Sequence, residues 1–151
     1  MKNFIILPPN GSPSTLDLDK AGDPDRAIRL AIGKYCIDTK AVFPERLYSI
    51  WHNTDTPEEG DAPGKAVCML ADKYETWRKD QPVNLVASWL YGTEIHQIPI
   101  RGTVIFAGVA SEDDDGVRLC GLDDYVGLAL LSNLITASRR MEQVREERKK
   151  S

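Results

Sequence analysis

Long hydrophobic runs are what this chain most lacks. No apolar stretch approaches the ~20 residues of a membrane-spanning helix, and the mean hydropathy is −0.34, so no membrane association is expected. The first apolar group, Phe4 to Leu7, follows Lys2 and stops at Pro8-Pro9. That is short of the ~7–15 residues a secretory h-region needs, and a cytoplasmic location is expected. Cysteine is scarce: Cys36, Cys68 and Cys120 are far apart and form no Cys-x-x-Cys pair. This excludes the common zinc and redox motifs and leaves three reduced thiols packed as small apolar groups. Histidine is scarcer still. His52 and His96 fit neither His-Glu-x-x-His nor His-x-Glu spacing, so no metal site and no cofactor are expected. The chain also has no Gly-x-Ser-x-Gly elbow, no Walker A loop and no Gly-x-Gly-x-x-Gly. Gly102 and Gly108 flank a strand, and Gly121 and Gly127 flank a helix start, where glycine serves turns and close packing. No catalytic residue is expected.

What is present is the composition of one ordinary folded domain. The 151 residues are 42% hydrophobic and 28% charged, globular rather than disordered. A chain of this length buries roughly 70% of its unfolded surface and needs neither metal nor disulfide to fold. Charge is unevenly placed. The whole chain carries −4, but residues 139–150 set six Arg and Lys against three Glu and carry +3, leaving −7 on the rest. An acidic body does not favour sequence-specific DNA binding. The expected organisation is a globular domain over residues 1–138 and a charged, basic helix extension or tail over 139–151.

Patterning along the chain predicts an α+β fold: one mostly antiparallel sheet packed against two main helices, the second long and C-terminal. Asn3 to Leu7 is a short buried strand ended by Pro8-Pro9, and Thr15 to Leu18 is a short strand after a loop. Asp23 caps a helix that has Pro24 at its first position and ends near Gly33. Cys36 to Phe43 and Arg46 to His52 read as strands, and Lys65 to Leu70 pairs with the latter as a wide hairpin. Ala71 to Lys79 reads as a helical turn or loop. Asn84 is the N-cap of a short helix that Gly92 ends. Ile98 to Val109 is a strand-like block, followed by an acidic loop from Ser111 to Gly116 and a strand over Val117 to Cys120. Asp123 caps the last helix, whose apolar stripe runs Val126, Ala129, Leu130, Leu134, Ala137 and Met141, with a second row of Leu128, Leu131 and Ile135. Beyond Met141 only Val144 is apolar, and that end is expected to project into solvent or to fray.

Few features suggest chemistry. On an EF-hand template Ser111, Asp113, Asp115 and Gly116 take the first, third, fifth and sixth positions. Leu122 then falls where a bidentate Glu is required, so the cluster reads as a solvated hairpin turn. Trp51, Trp77 and Trp89, with Tyr48, Tyr74 and Tyr91, read as core and core-edge packing, although exposed aromatics also stack nucleotides. Arg101 lies inside an apolar run, where it needs an acidic partner or binds an anion. The residues singled out for ligand binding are Asn53, Asn84, Arg101, Trp51 and Trp89.

Two stretches carry a resemblance. Pro82-Val83-Asn84-Leu85-Val86-Ala87-Ser88-Trp89-Leu90-Tyr91-Gly92 and Ile100-Arg101-Gly102-Thr103-Val104-Ile105-Phe106-Ala107-Gly108 are similar to the Asn-led short helix and the glycine-bounded strand of a family of small phage, plasmid and bacterial proteins. It is known as domain-of-unknown-function family 3846. The acidic loop, the Gly121-Leu122-Asp123-Asp124 helix start and the Glu58-Glu59-Gly60 turn after Asn53 also resemble it. Leu85 stands where the family often has a basic residue, and the Asn53 loop is longer. The resemblance implies no catalytic residues. It implies a non-enzymatic intracellular accessory protein of a phage or mobile element, acting by binding in the host cytoplasm. Two alternatives stay open: a small-ligand or nucleotide binder that sequesters a host signal as a counter-defence protein, and a protein–protein inhibitor with an acidic surface. The partner is accordingly an unknown protein, a small molecule or nucleotide, or a second copy in a homo-oligomer.

Overall fold

The computed structural model describes residues 3–17, 23–33, 38–42, 67–73, 82–92, 99–113 and 116–150. In chain order the elements are β1 (Asn3–Leu7), β2 (Ser14–Asp17), α1 (Pro24–Ile32), β3 (Thr39–Val42), β4 (Val67–Asp72), α2 (Leu85–Tyr91), β5 (Val104–Asp113), β6 (Gly116–Cys120) and α3 (Asp124–Lys150). The strands form one sheet in the order β2-β1-β5-β4-β3, with β6 also on β5, and every pairing is antiparallel. The fold is α+β, as the patterning predicts.

β5 is long enough to serve two neighbours on one side. β1 pairs with its Val104 to Phe106 stretch and β6 with Gly108 to Asp113. Gly108 is matched to Cys120 on that side and to Val67 of β4 on the other. The Leu122 N–H donates to the Asn3 carbonyl (3.0 Å), joining the end of β6 to the start of β1.

Side chains alternate across this sheet, and both faces are covered. Ile5, Leu7, Val67, Met69, Val104 and Phe106 point to one face, where they meet α2 and the inner stripe of α3: Val126, Leu130 and Leu134. Phe4, Cys68, Leu70, Ile105 and Ala107 point to the other, where Ile28 and Ile32 of α1 lie. The two main helices thus lie on opposite faces. β4 is buried at all six positions, which explains why it reads as a continuous apolar run and not as an alternation.

Three boundaries differ from the expectation. The Ile98–Val109 block is not one strand: Gly102 takes a left-handed φ of 79°, which breaks the extended run, and β5 starts at Val104. β5 then continues to Asp113 opposite Gly116, with a register shift between Val109 and Ser111, so much of the acidic loop is strand. Ala71 and Asp72 extend β4, opposite Lys40 and Thr39 of β3. α3 continues unbroken through Ser138 to Lys150. The expected hairpin of Lys65 to Leu70 with Arg46 to His52 is not what β4 forms: it pairs with β3 on one side and β5 on the other. The Arg46 to His52 run, Cys36 and both histidines lie outside the described residues.

Cys68 is fully buried between β4 and α1. Burial, with Cys120 nearby, pushes its thiol up to about 12 from 9.0. Below pH 9 the thiol is protonated in both folded and unfolded chains. Between pH 9 and 12 the unfolded chain gives up a proton that the fold retains, so this contribution to stability is lost as pH rises, by up to about 1.4 kcal/mol per pH unit. Cys68 is expected to resist a thiol reagent at pH 8 until denaturant is added, as read by peptide mass. The urea midpoint of the wild type is expected to fall faster than that of Cys68→Ala between pH 9 and 12.

Candidate binding cleft

Pro8-Pro9 ends β1 because proline has no N–H to offer the ladder. The chain then turns tightly through residues 10–12. A Cβ on Gly11 would stand 3.0 Å from Pro8 Cγ, a tight approach that would require the proline ring to shift by a few tenths of an ångström. This turn forms one wall of a shallow cleft that encloses only about 30 Å³. The start of α2 forms the second wall, and Ser138, Met141, Glu142 and Arg145 of α3 form the third.

Asn84 fixes the geometry. It is 1% exposed, and its backbone at φ −86° and ψ 98° is extended, as an N-cap requires. Its Oδ1 accepts from the Ala87 N–H at 3.1 Å. Its Nδ2 donates to the Leu7 carbonyl at 3.1 Å and the Gly102 carbonyl at 3.0 Å. One turn on, Ser88 Oγ accepts from the Ile100 N–H (2.9 Å) and donates to the Ile100 carbonyl (3.2 Å). Backbone bonds from Asn84 to Ile100 and from Gly102 to Pro82 complete the attachment, with a bridge between Val83 and Arg101. α2 ends on Gly92, at φ 86°, whose N–H reaches the Ser88 and Trp89 carbonyls.

On the α3 wall, Arg145 Nη1 donates to Asn10 Oδ1 at 2.9 Å, tying the helix to the turn. The Ser138 Oγ is buried with no hydrogen-bond partner among the described residues, and Ser138 lines the same cleft. Leu85 at the mouth is 39% exposed, and Trp89, one helical turn further, is 52% exposed. Residues at this spacing share a helix face, so an apolar, aromatic edge adjoins the cleft.

Of the residues proposed for binding, Asn84, Trp89 and Arg101 fall in one local unit, the short helix and the segment bridged to it. Asn84 lines the cleft, but its carboxamide is committed to three internal bonds. Trp51 and Asn53 lie outside the described residues. Sequence reasoning missed Asn10, Ser138, Met141 and Arg145. The signal was available in the spacing: Leu134, Ser138, Met141 and Arg145 continue the inner stripe of α3 into its mostly polar second half. Among the described residues no group of three His, Cys, Asp or Glu is placed to hold a metal, and no helix is long and apolar enough to cross a membrane. No family model, no curated protein and no solved structure matches the chain.

The geometry separates two parts played by Asn84. Asn84→Ala removes the cap and leaves two inward carbonyls without their donor, for an expected loss of roughly 2–4 kcal/mol in urea denaturation. Asn84→Asp keeps a good cap but sets a carboxylate against the Leu7 and Gly102 oxygens. It is expected to cost more than Ala at neutral pH. An Asp variant as stable as the wild type would show that capping alone matters.

Proposed function

We propose that this is a non-enzymatic accessory protein of a phage or other mobile element, which acts in the host cytoplasm by binding. The cleft beside Asn84 is the binding site, and a small polar ligand with a planar group, such as a nucleotide, is its occupant. The observation that carries this reading is the Ser138 hydroxyl, which is buried without a partner among the described residues and belongs to a residue that lines the cleft. A buried hydroxyl left unsatisfied costs about 1–3 kcal/mol, and a ligand that draws it into the cleft recovers that cost. The other groups suit the same class of ligand. Arg145 offers a guanidinium to a phosphate, Glu142 accepts from amino or imino groups, and the exposed Trp89 presents a ring face to a base. The mobile-element part rests on the sequence resemblance.

Thermal denaturation with a panel of mono-, di- and cyclic nucleotides tests the reading. A true ligand at 100 times its Kd adds about 2.7 kcal/mol. That gain is expected to disappear in Arg145→Ala and to shrink in Trp89→Ala, both at exposed or partly exposed positions. The nucleotide is expected to be recovered unchanged. A flat panel would remove the small-ligand reading, and a consumed nucleotide would overturn the non-enzymatic one.

A further inference from the structure

Two walls of the cleft beside Asn84 are joined by a side-chain hydrogen bond. Arg145 Nη1 on α3 donates to Asn10 Oδ1 on the turn at 2.9 Å, between residues 135 positions apart. With the walls joined, the cleft encloses about 30 Å³, room for roughly one or two waters and too little for a planar ring. The walls are held differently. On α3, Leu134 is buried and Met141 packs against the core, so the helix is the fixed wall. Residues 10–12 are exposed, on the connection between β1 and β2. Exposed segments open at the lowest free energy, and ligand-binding loops are drawn from them.

We infer that the Asn10–Arg145 contact is a latch: it holds the turn against α3, and an anionic ligand enters by taking the guanidinium from Asn10. This deepens the function proposed above, and rests on it for the identity of the ligand but not for the motion. The exchange has a chemical direction. A guanidinium carries five N–H donors in a fork that matches a phosphate with two parallel bonds, whereas Asn10 offers it a neutral carboxamide oxygen. Glu142, which also lines the cleft, disfavours a bare anion and favours one that carries N–H donors as well. Releasing Asn10 lets the turn move off α3, widens the cleft and exposes Ser138. While the latch is closed, apparent affinity falls by the fraction of molecules that are open. For a contact of this kind the factor is about three- to tenfold.

Thiol labelling needs no ligand and so tests the latch apart from the nucleotide. In the full chain, Ser138→Cys puts a thiol at the cleft, and its reaction with iodoacetamide, read by the mass of the peptide that contains it, reports opening. Adding Asn10→Ala is expected to raise that rate about three- to tenfold, and adding Arg145→Ala to raise it as well. The two together add nothing beyond the faster single change, because both break one contact. The Arg145→Ala arm separates opening from charge: loss of a nearby cation alone would raise the thiol pKa and slow the reaction. Met141→Cys, also at the cleft, repeats the measurement if Ser138→Cys does not fold. Adenosine monophosphate, followed by titration calorimetry, is expected to bind the Asn10→Ala chain more tightly than the wild type by the same factor. Equal labelling with and without Asn10, slower labelling in Arg145→Ala, or equal nucleotide affinity in the two chains would each overturn the latch. Binding to neither chain would count against the nucleotide, and the labelling ratio would still decide the latch.

Discussion

One buried carboxamide holds three distant pieces of chain in register. Asn84 joins the end of β1, the turn at Gly102 and the first turn of α2 through one side chain. No other residue type supplies two donors and one acceptor in so short and uncharged a group. α2 has only seven residues, and isolated helices shorter than ~12–15 residues are marginal in water. Its persistence therefore depends on attachment. Asn84 and Ser88 provide that at the same spacing that places Val86, Ala87 and Leu90 on the core. Ile100 and Arg101 do not continue into β5, because the Ile100 carbonyl is bonded to the Asn84 N–H, the Gly102 N–H to the Pro82 carbonyl, and Gly102 turns the chain.

That constraint also shapes the surface. The Leu7 carbonyl that Asn84 holds is followed directly by Pro8-Pro9, so the turn over residues 10–12 leaves the sheet at a position set by the carboxamide. α2 starts at the same point. The cleft is the space left between these two departures and α3, and the Arg145 bond to Asn10 spans it. Asn84 thus acts as a support under the cleft, whose α3 wall carries Ser138, Met141, Glu142 and Arg145.

How much of this was legible in the sequence follows from which forces were local. β1, the cap and stop of α2, Pro24 at the start of α1 and Asp123 at the start of α3 are decided within a turn of chain. Each was readable. In the last case the Asp123 carboxylate accepts from the Tyr125 and Val126 N–H groups. The placement of α1 and α3 on opposite faces was not readable, because it depends on which alternate residues of β4 and β5 each helix covers. The length of β5 was misjudged for a related reason. Carboxylates at Glu112 and Asp113 signal a turn in isolation, yet pairing with β6 carries the strand through them. The cleft was half legible. Asn84 stood out as a cap, but its other two bonds reach residues 77 and 18 positions away, and nothing local announces them.

α3 explains why a strongly structured helix can look weakly patterned. A surface helix ordinarily has one apolar stripe and a polar remainder. Here Val126, Leu130 and Leu134 face the sheet, while Tyr125 and Leu128 face outward, so the apolar residues of its first half lie on opposing sides. Its second half is almost wholly polar, yet Ser138, Met141 and Arg145 still follow the inner stripe. The helix changes neighbours along its length, from sheet to cleft, without changing face. Residue type follows that change: aliphatic side chains where the neighbour is the dry sheet, then a small hydroxyl, a flexible thioether and a long cation where it is an open cleft. The polar inner positions up to Arg145 are therefore a continuation of the packing face under different solvent access.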